Sequence, residues 1–520
     1  MTIIETTPVL PPKPTGALRV MQLGAVAIVA AVATLHVFEL DRFFVPKELV
    51  LHLTALIAGY AAVRVSMTRV DRLLALFLLV SAVSALFATN PWLAVRAVAV
   101  SVSGVVLFWI ARALREGGLG RPLLNTLAFA VVLCAVTSLL QTYGVELTIF
   151  SENRAPGGTL GNRNFVAHIA AFGLPLVLLT ALRGRSVFPG AIGATIVIAS
   201  LVLTRSRAAW LAFAAVLIVF CIALLASAAV RRDGRTWRRL AMMAILIVGG
   251  VAAALLIPNT LKWRSDNPYL ETVKRVADYQ EGSGRGRLVQ YEQSMRMALR
   301  HPILGVGPGN WAVEYPEHAA RHDPSLSDSE GGATSNPWPS SDWVAMVAER
   351  GPVAAVLLAL AFLSMFADAV KQLRTAVDVD EGLLAATLLG VIVGAGVTGM
   401  FDAVLLLAVP TFLVWAALGA LSVPTAAVPA RRIIPIILIV IAGLGAARSS
   451  MQLIAMQIYA TRGDRASLTR AAWIDPGNYR VRLRLARMGR RQQRCEHALA
   501  ARALFPHADA ARDASRGCDN

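Results

Sequence analysis

Charge is what this chain has least of. Only 16% of its 520 residues are Asp, Glu, Lys or Arg, against 56% hydrophobic, and the mean hydropathy is +0.60. A soluble chain of this length carries far more charge and divides into domains joined by polar linkers, so that class is excluded. Cysteine is nearly missing too: there are four, with no C-x-x-C pair, which argues against a zinc or redox centre. Cys134 and Cys221 lie in apolar blocks and read as small core residues, whereas Cys495 and Cys518 lie in a polar tail. Acidic residues number 32 against 50 basic ones, a net charge of +18. No helix-turn-helix, zinc or RNA-binding signature accompanies that charge, and most arginines sit in short loops, so no nucleic-acid partner is expected. The first sixteen residues, MTIIETTPVLPPKPTG, lack a basic n-region, and the first apolar block is expected to stay as a span.

What the chain does have is apolar blocks of about 20 residues, the length that crosses a ~30 Å hydrocarbon layer as a helix. Thirteen such blocks are expected, at 17–38, 47–65, 72–89, 93–113, 122–143, 164–182, 187–204, 208–230, 240–257, 343–370, 383–401, 403–421 and 433–449. The fold class is therefore an all-α polytopic membrane protein of about 12–13 transmembrane helices. With the N-terminal segment (1–16) in the cytoplasm, the inside loops hold nineteen Lys and Arg, among them Arg64, Arg115, Arg183, Arg232, Arg374, Arg431 and Arg432. The short outside loops hold seven: Arg42, Lys47, Arg96, Arg154, Arg163, Arg205 and Arg207. Basic short loops resist translocation, so this asymmetry sets the orientation. Membrane domains are thus expected at 17–257 and 342–449, with a large outer (periplasmic) loop at 258–341 and an outer helical tail at 450–520.

Both outer segments are long enough to carry function. Within the loop, Arg287 to His301 shows helical spacing, and PILGVGPGNW then supplies Gly305, Gly307 and Gly309 for a compact turn. The tail stretch AAWIDPGNYR reads as one helical hairpin of the tetratricopeptide kind, which must dock on something because a single copy cannot bury its own apolar face.

The informative residues are arginines where arginine is expensive. LVLTRSRAAWLAF places Arg205 and Arg207 between two apolar blocks, and a charge at membrane depth costs at least ~2.5 kcal/mol unless it is paired or faces a wet cavity. Arg285 and Arg287 open the expected loop helix, where free N–H groups and the helix dipole favour anions. GTLGNRNF puts Asn162, Arg163 and Asn164 at the outer mouth of another span, where Asn also serves as a cap. Together these outline an outward-facing, arginine-lined site for a pyrophosphate or another anionic head group, since guanidinium holds phosphate through two parallel hydrogen bonds.

In order along the chain, GTLGNRNFVAH, LTRSRAAWL, GRLVQYEQSMRMALRHPILGVGPGNW and SDWVAMVAERG resemble the O-antigen ligase and polymerase family of bacterial envelope glycosyltransferases, over roughly residues 150–355. The resemblance implies an enzyme of the bacterial inner membrane. It would transfer a glycan from an undecaprenyl-pyrophosphate donor to an acceptor hydroxyl on a glycolipid, glycan or protein, without metal or cofactor and with inversion. It further implies that Arg207 and Arg287 hold the pyrophosphate. Arg205 and Arg163 join them on the charge argument alone. The family's histidine before the next span falls on Ser340, which has no usable basicity near neutral pH. Asp342, Glu349, His318 and His322 are the alternative bases. Two other readings compete: a scaffold of polysaccharide assembly that has lost catalysis, motivated by Ser340, and an anionic-lipid transporter or flippase. Against a transporter, no pair of interrupted spans occupies matching positions in two halves.

The topology has a direct test. Cytoplasmic reporters fused after Arg232 and Arg374 will be active, and fusions at Ser325 and Arg480 will report export. A cytoplasmic signal at Ser325 overturns the arrangement, while one at Arg480 alone relocates only the tail.

Overall fold

The computed structural model describes residues 15–518 apart from 36–37, 39, 63–65, 153, 264, 266, 275–281, 321–322, 329–330, 423–427 and 430–432. Of the residues singled out above, Arg64, His322, Arg431 and Arg432 lie outside this set. The chain is helical almost throughout, and each of the thirteen expected blocks holds a helix. The first part runs α1 (Thr15–Ala30), α2 (Asp41–Ala62), α3 (Arg69–Ala85), α4 (Pro91–Glu116), α5 (Gly120–Thr142), α6 (Arg163–Arg183), α7 (Phe188–Thr204), α8 (Arg207–Ala226), the short α9 (Ala228–Arg231) and α10 (Gly234–Leu256). The long loop carries α11 (Pro268–Lys274), α12 (Gly282–Arg300) and α13 (Trp311–His318). Next come α14 (Asp342–Thr375), α15 (Val379–Phe401), α16 (Ala408–Leu421) and α17 (Ile433–Thr461), and the tail holds α18 (Arg465–Ile474), α19 (Tyr479–Met488), α20 (Arg491–Leu504) and α21 (Asp509–Ser515). Among the described residues nine helices are long and apolar enough to cross a membrane, and α1, α7 and α16 are shorter apolar ones. Strand is confined to two antiparallel two-residue pairs, β1 (Ser66–Met67) with β4 (Val428–Pro429) and β2 (Leu326–Ser327) with β3 (Ala333–Thr334).

Local chemistry sets many of the helix starts. Thr68 and Asp71 form a capping box on α3, Asn90 caps α4 with Pro91 at its first position, and Asn162 and Ser341 cap α6 and α14. The helices then pack into one apolar core. α6 is its centre, with 94% of its apolar window buried, whereas α10 buries 17% and faces outward. Small residues let helices approach closely: a Cβ at Gly104 would meet Trp415 at 2.6 Å, so α4 and α16 pack tightly there. Cys134 is buried as expected; Cys221 is not a core residue but sits exposed on the apolar outer face of α8.

The alternation of basic loops reappears as geometry. At one end of the bundle Arg121 donates to the Arg183 carbonyl at 2.7 Å, Arg183 pairs with Asp380, and Arg239 donates to the carbonyl of Leu182 at 2.6 Å. All the long-loop and tail contacts lie at the other end.

Two boundaries differ from the sequence reading. α12 begins at Gly282, so Arg287 lies inside that helix and does not open it; the glycines of GSGRGR do not interrupt it. α14 is broken at Gly351, whose φ of 81° is left-handed, just before Pro352. The break serves docking. Val306 and Gly307 donate their N–H groups to the carbonyls of Ala348 (3.0 Å) and Glu349 (2.8 Å), and a Cβ on Gly351 would collide with the Ile303 carbonyl. Glu349 completes the joint: buried at 2% exposure, it accepts N–H bonds from Gly309 (2.9 Å) and Trp311 (3.2 Å).

The tail is larger than the single expected hairpin and docks on the start of α4. Trp92 donates its indole N–H to Asp475 at 2.6 Å, and Asn90 donates to the Gly477 carbonyl at 3.2 Å. Asn90 also receives Asn310 from the loop, its N–H meeting Asn310 Oδ1 at 2.7 Å, so loop, tail and bundle meet at one residue. Cys495 and Cys518 are joined in a disulfide that ties α20 to the end of α21.

Gly351→Val adds a side chain where the backbone is left-handed and the space is filled, and is expected to destabilise the protein by about 2 kcal/mol or more. Glu349→Gln leaves one backbone N–H facing an amide and is expected to lower stability by about 1–3 kcal/mol. Thermal unfolding of both variants in detergent checks this; a Glu349→Gln protein as stable as the parent but inactive would instead give that carboxylate a chemical task.

Candidate functional site

The site is built around the first two turns of α6. The segment before it is pinned to α5: Ser138 donates to the Pro156 carbonyl at 2.9 Å, and Gln141 accepts from Gly158 N at 2.9 Å and donates to Ser151 O at 2.9 Å. This fixes where α6 starts, with Asn162 accepting from Asn164 N at 3.0 Å, so Asn162 is a cap. Arg163, the first residue of α6, lays its guanidinium 5.0 Å from the ring of Trp263.

Arg205 lies 4.8 Å from the same indole. It ends α7 with a left-handed φ of 54° and is braced by Thr272 Oγ1 at 2.9 Å and Glu271 at 3.6 Å. Two arginines of different helices thus share one aromatic platform, each stabilised by cation–π attraction. Arg207 follows, half-buried, as the first residue of α8.

Arg287 belongs to α12. α12 is bolted down by Gln290, which accepts the Ser340 N–H at 2.6 Å, and by Tyr291, whose hydroxyl donates to the carbonyls of Ser340 (2.6 Å) and Met400 (2.8 Å). Arg287, one turn earlier, is half-buried. Ser340, the position of the family histidine, is therefore one helical turn from Arg287.

His168 is the residue the sequence reading passed over, although it ends the quoted GTLGNRNFVAH. It sits five residues after Arg163, about 7.5 Å along the same helix. It is 1% exposed, neither ring nitrogen has a hydrogen-bond partner among the described residues, and Nδ1 lies 3.9 Å from the Asp402 carboxylate. A buried imidazole with no hydrogen bond is uncommon and calls for an explanation.

The proposed acids have other tasks. Asp342 is 1% exposed and accepts N–H bonds from Val404 (3.0 Å) and Leu405 (2.9 Å), so it shapes the turn that carries Asp402. Glu349 holds the glycine turn, as described. Both carboxylates accept backbone N–H groups. His318 ends α13 beside Glu317 (3.9 Å), and burial followed by Arg300 lowers its proton affinity. Arg285 is exposed. For a metal, the described residues offer one group, Glu314, Glu317 and His507, with ligand atoms within 4.8 Å of one another; it sits where α13 meets the tail, away from α6.

A separate cavity of about 480 Å³ opens between the bundle, the loop and the tail. Of the candidate residues only Glu349 lines it; the four arginines do not.

A known family matches part of this architecture. The family model described as O-antigen ligase matches residues 192–373, from α7 to the end of α14, which takes in Arg205, Arg207, Arg287, Ser340, Asp342 and Glu349 but leaves Arg163, His168 and Asp402 outside. No curated protein matches the chain. Over residues 192–373 this multi-pass membrane protein is thus similar to the O-antigen ligase family, a likeness that points to a glycosyltransferase type of activity.

Proposed function

We propose that the protein transfers a glycan from undecaprenyl pyrophosphate to an acceptor hydroxyl at the outer face of the bacterial inner membrane. The observation that supports this reading is the sharing of the Trp263 indole by Arg163 at the start of α6 and Arg205 at the end of α7, with Arg207 opening α8 two residues on. Arg207 and Arg287 are assigned to the leaving pyrophosphate. It gains negative charge as the glycosidic bond breaks, and preorganised guanidinium groups lower the cost of that charge. Arg163 and Arg205, anchored on Trp263, complete the positive field.

In the transfer, the acceptor oxygen bonds to the anomeric carbon from the face opposite the phosphate. The carbon–oxygen bond to phosphate breaks with its electron pair, and the hydroxyl proton must leave. His168 is assigned to receive it, with Asp402 stabilising the resulting imidazolium. This takes over the task that Ser340 cannot perform. The disulfide in the tail supports an outer location, because such bonds persist in oxidising compartments.

Deletion of the protein is expected to leave undecaprenyl-linked glycan unprocessed. Arg207→Ala or Arg287→Ala removes charge-assisted hydrogen bonds worth about 1.5–3 kcal/mol, a loss of roughly ten- to a hundredfold in turnover or donor binding. Lysine will rescue only in part. Arg231→Ala and Arg232→Ala, at the other end of the bundle, will be tolerated. Full activity with both outer arginines removed would move the scaffold and transporter readings ahead. His168→Ala is expected to lower kcat by about 10²–10⁴-fold with donor affinity retained, and to abolish the acid limb of the pH–rate profile. An unchanged profile refutes the assignment.

A further inference from the structure

The cavity beneath the tail differs in chemistry from the arginine cluster. Its lining includes four arginines, but also four carboxylates, so its formal charge is zero. The charges are engaged with one another and with backbone: Arg96 holds Glu48 through two nitrogens at 2.7 and 2.9 Å, and Arg448 donates to the Trp92 carbonyl (3.0 Å) and to Gln452 (2.7 Å). Burial raises the proton affinity of Asp475, opposed by Arg448 and by hydrogen bonds from Asn478 and Trp92. Such a lining does not attract a polyanion. It offers fixed donors and acceptors without net charge, set among the rings of Trp92, Trp338 and Tyr479.

Aromatic faces beside satisfied polar groups suit a saccharide, whose C–H faces lie on rings while its hydroxyls exchange hydrogen bonds with amides, carboxylates and guanidinium groups. The volume of about 480 Å³ falls in the range of small-molecule sites, roughly 300–1,000 Å³. That admits the end of a glycan and excludes a folded polypeptide. Position adds the second half of the argument. Gly161, Trp338 and Leu406 line the cavity, and they belong to the segments that carry Arg163 and His168, Ser340, and Asp402. The opposite wall is the tail, from Asp475 to Arg480.

We propose that this cavity is the acceptor subsite, that it binds the terminal sugars of a glycan acceptor, and that the tail is its recognition wall; the acceptor role rests on the transfer reaction proposed above. The tail's docking contacts at Asn90 and Trp92 then serve to hold a specificity surface against the bundle.

The test uses the purified full-length protein in detergent on an array of bacterial envelope oligosaccharides, with peptides bearing exposed Ser and Thr as the competing acceptor class. Ser335→Trp fills the cavity from a loop residue whose backbone is held by Ser325, and Arg154→Ala removes a polar group from the wall without enlarging the side chains. The unmodified protein is expected to retain a subset of glycans, and both variants to lose that retention by about tenfold or more while binding undecaprenyl pyrophosphate as before. In a transfer assay the acceptor KM rises by about tenfold and the donor KM does not. A blank array, equal retention by the variants, or retention of the peptides in place of glycans overturns the proposal. The array needs no turnover, so it reports on the cavity even where transfer fails; conversely, a blank array with transfer still dependent on Arg207 and Arg287 removes the subsite and leaves the donor reading standing.

Discussion

The joint between the glycine turn and the broken start of α14 holds the outer half of this molecule in place. Glu349 accepts two backbone N–H groups from the turn, and the turn returns two of its own to the carbonyls of Ala348 and Glu349. Gly351 makes this possible by breaking the helix in a left-handed conformation. Beside this joint α12 packs on α14, with Gln290 and Tyr291 tied to Ser340. From it also Asn310 reaches Asn90, and through Asn90 the position of the tail is determined. One buried carboxylate and one glycine thus govern both the candidate transfer site and the cavity beside it.

The outer arginines divide into two populations with different consequences. Arg96 and Arg448 are neutralised locally by carboxylates, amides and carbonyls, and so contribute order and not field. Arg163 and Arg205 stand together on one indole, where like charges reinforce each other's potential. Charge near a membrane is costly in either case. The first population offsets that cost at home; in the second, Glu271 at 3.6 Å offsets Arg205 in part, and both guanidinium groups lean on the Trp263 ring. The donor and acceptor proposed above would call for this division of labour.

Asp342 shows how a single carboxylate can order a turn. Its carboxylate is filled by the N–H groups of Val404 and Leu405, and the turn it shapes presents Asp402 to His168. Spacing reveals that a carboxylate is present at 342 but not what occupies its oxygens.

Much of the fold was legible in advance because a bilayer imposes a local rule: each crossing must be a helix of about 20 apolar residues, and basic loops alternate in side. That rule acts segment by segment, so the thirteen blocks, the long loop and the docked tail could be read from residues in order. The cost of charge at membrane depth is likewise local, and it marked Arg205 and Arg207. Partners brought together by packing obey no such rule. His168 and Asp402 are separated by 234 positions, and nothing in FVAH announces that the imidazole is buried without a hydrogen bond beside a carboxylate. The cavity draws its walls from α2, α4, the loop, α17 and the tail, and its charge balance exists only where those segments meet. Residue types and their depth were thus determined by the sequence itself, through the solvent each segment must face, while the pairing of groups and the shape between them were decided by tertiary packing, because that alone sets distances between residues far apart in the chain.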